Sequence, residues 1–128
     1  MSTTLTLDPV TADTLRTIDA FNAAFGAHDL DGVMALMTED VVFENTRPAP
    51  DGERHEGQAA VRAFWEAFFQ RQPSARFTAE DIFAAGERCT VRWRYDFLRD
   101  GVAGHVRGVD IFRVRGGRVA EKLSYVKG

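Results

Sequence analysis

Cysteine is almost absent from this chain: Cys89 stands alone among 128 residues, which excludes an intrachain disulfide. Long apolar runs are missing as well. No stretch approaches the about 18 apolar residues that mark a membrane helix, and Met1-Ser2-Thr3-Thr4-Leu5 carries neither a basic nor an apolar leader region. A cytoplasmic location and no membrane partner are therefore expected. His28, His55 and His105 lack metal-ligand spacing, so no metal and no other cofactor is expected. The net charge is only −3 and the arginines are scattered, which argues against a nucleic-acid partner. Without a linker, repeat or low-complexity segment, residues 1–128 read as one domain, with 1–8 a flexible lead.

Apolar residues make up 45% of the chain, ten of them Phe, enough for one sizeable core. Leu15, Ile18, Phe21, Asn22 and Phe25 recur at helical spacing, which predicts a helix over Asp8–Ala27. Asp8-Pro9 or Thr11 would begin it. Asp29 would cap a second, short helix carrying Leu30, Val33, Met34 and Met37, broken by Thr38-Glu39-Asp40. A short strand follows at Val41–Asn45. Residues 46–56 then read as a polar loop, which Pro48 and Pro50 keep out of any ladder. A third helix is predicted over Gln58–Gln70, burying Val61, Phe64, Trp65 and Phe68, with Pro73 as its stop.

Four antiparallel strands complete the chain: Arg76–Ala85, Cys89–Phe97, Val106–Val114 and Arg118–Val126. Asp100-Gly101 is a two-residue hairpin signal, since both positions tolerate the positive φ of a type I′ turn. That turn places Asp110 opposite Val91 and Trp93 opposite Gly108. Facing residues share a sheet face, so Asp110 joins Trp93, Tyr95 and Phe97 among aromatic side chains. Burying a lone carboxylate there is costly unless it is paired or protonated, which makes Asp110 the leading functional candidate. Its neighbour on the last strand depends on the last turn. A two-residue Gly116-Gly117 turn sets Leu123 opposite Asp110; a three-residue Arg115-Gly116-Gly117 loop with a glycine bulge sets Lys122 there instead. Lys122 would keep the carboxylate ionised as a general base, whereas Leu123 would leave a neutral hydrogen-bond donor. Helices first and a strand meander after them indicate an α+β domain.

The element order, with the segments His28–Asp40, Glu56–Trp65 and Val109–Val119, resembles the nuclear transport factor 2-like superfamily, and within it the SnoaL-like polyketide cyclases and ketosteroid isomerases. The resemblance spans about Thr14 to Tyr125. It implies a cone-shaped fold in which a curved antiparallel sheet wraps around N-terminal helices and encloses one pocket. It also implies a homodimer through the outer sheet face, and it favours the bulged form of the last turn.

Residue by residue, two templates match in part. In ketosteroid isomerases, a carboxylic acid kept neutral by apolar surroundings donates a hydrogen bond to the developing oxyanion. Asp110, within Val109-Asp110-Ile111-Phe112-Arg113, takes that place, while Asn45 stands at the general-base position and Phe21 at that of the oxyanion tyrosine. Limonene epoxide hydrolases are similar in Arg94-Tyr95-Asp96 and in Asn45, which would hold a nucleophilic water; Phe43 and Ser124 replace that family's tyrosine and second aspartate. By alternation, Arg94 and Asp96 face away from Asp110 unless a bulge intervenes.

The expected activity is therefore cofactor-free acid–base chemistry on a small apolar or aromatic carbonyl compound, either cyclisation by aldol condensation or isomerisation. Asp110, Asn45, Arg94 and Asp96 are the catalytic candidates. Phe21, Phe25, Phe43, Trp65, Phe68, Trp93, Tyr95 and Lys122 are the candidate substrate contacts. An epoxide hydrolase using Arg94, Asp96 and Asn45 is one alternative; a non-catalytic ligand-binding or dimerisation module is the other. A module would have Asp110 satisfied by backbone donors and its pocket filled by Trp65 and Phe side chains.

Overall fold

Helix α1, Pro9–Gly26, begins where Asp8 accepts a hydrogen bond from the Thr11 N–H at 2.9 Å, with proline at the first turn. The computed structural model describes residues 8–128; the expected N-terminal lead lies outside them, except for Asp8. Ile18, Phe21 and Phe25 form the buried stripe of α1. The same side carries Thr11 and Thr14, which bind the Gly86 turn: Thr14 Oγ1 donates to the Gly86 carbonyl at 2.7 Å, and the Gly86 N–H donates to Thr11 Oγ1 at 2.8 Å. These bonds satisfy polar groups that burial would otherwise penalise.

Helix α2, Leu30–Ala35, is capped by Asp29 as expected. It stops earlier than the sequence suggests. Met37 and Thr38-Glu39-Asp40 belong to strand β1, Met37–Glu44, because Met37 and Val41 are needed in the core from the sheet side. Residues 46–56 also differ from expectation. Their last part is strand β2, Arg54–Glu56, paired antiparallel with β1 through Phe43 and His55. Pro48 and Pro50 lie outside that ladder, so they do not prevent it. The remaining loop is closed at its neck by Asn45, whose N–H donates to the Glu53 carbonyl at 3.1 Å. Asn45 Oδ1 accepts from the Glu53 N–H at 2.7 Å.

Helix α3, Gln58–Arg71, buries Val61 and Trp65. Strands β3 (Arg76–Ala85), β4 (Arg88–Arg99), β5 (Val102–Arg115) and β6 (Arg118–Val126) follow. The six strands form one curved, unclosed sheet in the order β2-β1-β6-β5-β4-β3. It is not wholly antiparallel, because β1 runs parallel to β6. A parallel pair needs a long crossover, here supplied by everything from β2 to β5. α1 and α3 cover the inner face, and their apolar side chains meet Val91, Phe112, Val114 and Val119 in the core. The α+β class with a nuclear transport factor 2-like arrangement thus stands, with one strand more than the sequence signalled.

Candidate functional site

Two registers decide the site. From Arg88 to Arg99, β4 pairs β5 without interruption, with Val91 opposite Asp110 and Trp93 opposite Gly108, as the Asp100-Gly101 turn predicts. The β5–β6 ladder starts from the two-residue Gly116-Gly117 turn, with Arg115 opposite Arg118 and Val114 opposite Val119. A register shift then makes Glu121 the partner of Arg113. Ala120 is the extra residue of that bulge, and everything beyond it moves by one position.

The consequence corrects both sequence alternatives. Neither Leu123 nor Lys122 faces Asp110 across the ladder; Ser124 does. Lys122 faces Phe112 and lies diagonally beside Asp110 on the same face. The three side chains close a ring. Lys122 Nζ lies 3.3 Å from Asp110 Oδ2 and donates to Ser124 Oγ at 3.1 Å, and Ser124 Oγ donates to Asp110 Oδ1 at 2.7 Å. A bulge at Ala120 was not anticipated, and with it the bridging role of Ser124. The adjacent apolar pair Val119-Ala120, both buried, is the only local trace of it in the sequence.

Lys122 is 5% exposed. Its Nζ sits 4.8 Å from the Phe43 ring centre and 5.0 Å from that of Trp65, within cation–π range. Burial holds its ammonium below the ordinary lysine value, while the Asp110 carboxylate pulls the other way.

This ring borders a cavity of about 720 Å³, a size typical of small-ligand sites. Phe25 from α1, Trp65 and Phe68 from α3, Phe43 from β1, and Trp93 and Tyr95 from β4 form its walls, so these predicted contacts do converge. Aromatic edges and faces alternate around it: Phe25 meets Trp65 at 4.8 Å and 86°, and Phe77 stacks on Tyr95 at 4.7 Å and 17°. Burial pushes the Tyr95 phenol upward. The Nδ2 of Asn22 and the indole N–H groups of Trp65 and Trp93 are buried without a hydrogen-bond partner among the described residues, and all three residues line the cavity. The exposed Arg47, Arg71 and Arg99 border it where it opens.

Three predicted residues fall elsewhere. Phe21, 1% exposed, packs edge-on against Phe112 at 5.6 Å in the core and does not line the cavity. Arg94 and Asp96 bind each other, Nε to Oδ1 at 3.1 Å, on the sheet face opposite Asp110. No bulge in the β4–β5 ladder returns them to the cavity, so the Arg94–Asp96–Asn45 arrangement of an epoxide hydrolase does not assemble. Asn45 does line the cavity, with its Oδ1 already engaged by the Glu53 N–H. His55 lies in β2, its ring 5.0 Å from that of Phe64 and not on the cavity wall. Among the described residues, no cluster of His, Cys, Asp and Glu could hold a metal ion, and no helix is long and apolar enough to cross a membrane.

Residues 18–122 match the family model of the SnoaL-like domain. No curated protein matches the sequence. Among solved structures, an NTF2-like protein of unknown function from Mesorhizobium loti is 42% identical, with 98% of this chain and 100% of that one covered and a TM-score of 0.83. A candidate SnoaL-like polyketide cyclase from Jannaschia sp. CCS1 is 20% identical over 97% of this chain and 92% of that one, with a TM-score of 0.81. A candidate ketosteroid isomerase from Kribbella flavida DSM 17836 is 21% identical over 92% and 80%, with a TM-score of 0.76. The last two likenesses establish the shared fold.

Proposed function

This chain belongs to the SnoaL-like domain family, and on that premise we propose that its cavity is the active site of an acid–base enzyme acting on a small, apolar, carbonyl-bearing substrate. One observation carries the reading. The Asp110 carboxylate stands on an aromatic cavity wall, held by side-chain groups of Ser124 and Lys122 rather than by backbone donors. A carboxylate buried only for stability would be matched more cheaply by an apolar residue. The open volume and the side-chain partners both count against a filled, non-catalytic module.

In this reading Asp110 takes a proton from the carbon next to the substrate carbonyl, with Lys122 Nζ 3.3 Å away as its partner. The unpaired indole N–H groups of Trp65 and Trp93 favour a substrate bearing acceptor oxygens on an aromatic or polycyclic body. Arg47, Arg71 and Arg99 suit an acidic or polar end directed outward. Cyclisation by aldol condensation and isomerisation both begin with this proton abstraction.

The test is turnover of a panel of polycyclic and aryl ketones by the wild type and by Asp110→Asn. Loss of about 10²–10⁴-fold in the variant, with folding intact, is expected. Turnover that ignores the substitution would remove Asp110 from the chemistry.

The outer face of the sheet is proposed as a homodimer contact. Phe83, 67% exposed, and Tyr125, 54% exposed, stand there beside Val109 and Ile111. Apolar side chains interleaved with arginines suit an interface.

A further inference from the structure

Basic residues in this chain are overwhelmingly arginine: of 16 lysines and arginines, only Lys122 and Lys127 are lysine. Lys127 is exposed near the end of the chain. Lys122 is the opposite case. It is buried on β6, yet it borders the cavity, at a position that the Ala120 bulge turns inward. An arginine there would pair with Asp110 at least as well and could never give up its proton. A lysine can, so the choice of amine at this position has a chemical consequence that charge pairing alone does not require.

Its surroundings suit a reacting amine. Burial withdraws it from water and favours the neutral, nucleophilic form, against the pull of the Asp110 carboxylate and of the Phe43 and Trp65 ring faces toward the ammonium. The carboxylate 3.3 Å away can hold the proton that the amine gives up, and Ser124 Oγ touches both partners and can pass a proton between them. We propose that Lys122 is a covalent nucleophile, capturing an aldehyde or ketone ligand in the cavity as an imine, with Asp110 and Ser124 as its proton relay.

The step balances within the three residues and the ligand. The Lys122 ammonium first passes a proton to the Asp110 carboxylate, leaving a neutral amine beside a neutral acid. Nζ then attacks the carbonyl carbon; the C=O π bond breaks, and the oxygen receives the proton that Nζ loses, through Ser124 Oγ. Asp110 protonates the resulting carbinolamine hydroxyl, the C–O bond breaks, and water departs. The nitrogen lone pair closes a C=N⁺ bond. The product is an iminium ion beside the Asp110 carboxylate, the same charge pair that existed before the ligand entered, so the site needs no new counter-charge. Hydrolysis reverses each step.

This inference uses the same cavity as the proposed acid–base activity but adds a covalent bond that the activity does not require. Its test therefore reads the bond and not turnover. Wild-type protein is incubated with 2-naphthaldehyde and sodium cyanoborohydride near neutral pH, then digested and mapped by mass spectrometry, with Lys127 as the internal control. Lys122 should be reductively alkylated in preference to exposed Lys127, since burial enlarges the neutral-amine fraction of Lys122 and the cavity holds the aldehyde beside it. Lys122→Arg, which keeps the cation beside Asp110, should lose that adduct. Labelling of Lys127 while Lys122 stays unmodified overturns the covalent proposal. Failure of this labelling together with a turnover loss in Asp110→Asn would leave the acid–base reading standing alone. Labelling of Lys122 with turnover indifferent to Asp110→Asn would do the reverse.

Discussion

Lys122 and Asp110 are bound at 3.3 Å although neither faces the other across the ladder. Ser124 faces Asp110, and Lys122 reaches it diagonally because the Ala120 bulge brings residues 122 and 124 to the inner surface. Without that extra residue, Leu123 would meet Asp110, and the carboxylate would stand in the aromatic wall without a cation. The site thus rests on one irregularity in one strand pair.

The energetic coupling of this pair is testable by a double-mutant cycle. Lys122→Met leaves a carboxylate against apolar rings and should cost about 3 kcal/mol, at the low end for a broken buried pair because the cavity admits water to Asp110. Lys122→Met with Asp110→Asn together should recover most of that loss. Urea unfolding of the four proteins measures both, and simple additivity would show that the pair is not coupled.

Alkaline stability should carry two opposite contributions. Burial raises the Cys89 thiol from 9.0 to about 11, so between these values the unfolded chain releases a proton that the folded chain keeps. Stability therefore falls as pH rises from about 9 to about 11, by at most roughly 3 kcal/mol for such a shift. Lys122 has the reverse sign. Its folded value is lowered from 10.5, so the unfolded chain holds the extra proton and stability gains as pH rises toward 10.5. The Cys89→Ala variant, compared with wild type across this range, should show a shallower decline. Parallel curves would mean that the thiol titrates as it does in the unfolded chain.

Gly108 is required by Trp93. The two face each other across β4 and β5, and a Cβ at 108 would strike the indole ring and the Tyr125 carbonyl. Gly108→Ala should cost about 1–3 kcal/mol as an overpacking change and displace the indole within the cavity. Thermal unfolding and tryptophan emission read the two effects. An unchanged melting temperature with unchanged emission would show that the ring yields without consequence.

The proposed dimer makes its own prediction. Light scattering at micromolar concentration should give twice the chain mass of 14.3 kDa. Phe83→Asp should lower that mass toward one chain while leaving the cavity side chains in place, since Phe83 lies on the outer face. A single-chain mass for the wild type would end the proposal.

Local chemistry made much of the fold legible. Helical spacing from Leu15 to Phe25, the Asp8 and Asp29 caps, and the Asp100-Gly101 turn each act within a few residues, and the structure follows them. Even the placement of Asp110 among Trp93, Tyr95 and Phe97 follows from one tight turn and strict alternation, because an unbroken antiparallel ladder carries register faithfully along its length. Other features depend on distant partners. Thr38-Glu39-Asp40 looks like a helix stop, yet lies within β1 because the residues on either side of it, Met37 and Val42–Glu44, pair in parallel with β6, some 80 residues onward. Arg54–Glu56 is polar and short, and becomes a strand only because β1 has a free side. The Ala120 bulge has almost no local signature; Val119 and Ala120 are both buried in succession, and the extra residue shifts every later residue of β6 by one. That shift selected Lys122 and Ser124, and not Leu123, as the companions of Asp110. A single turn could determine which face the carboxylate occupies, whereas packing of the whole sheet against α1 and α3 decided what stands beside it.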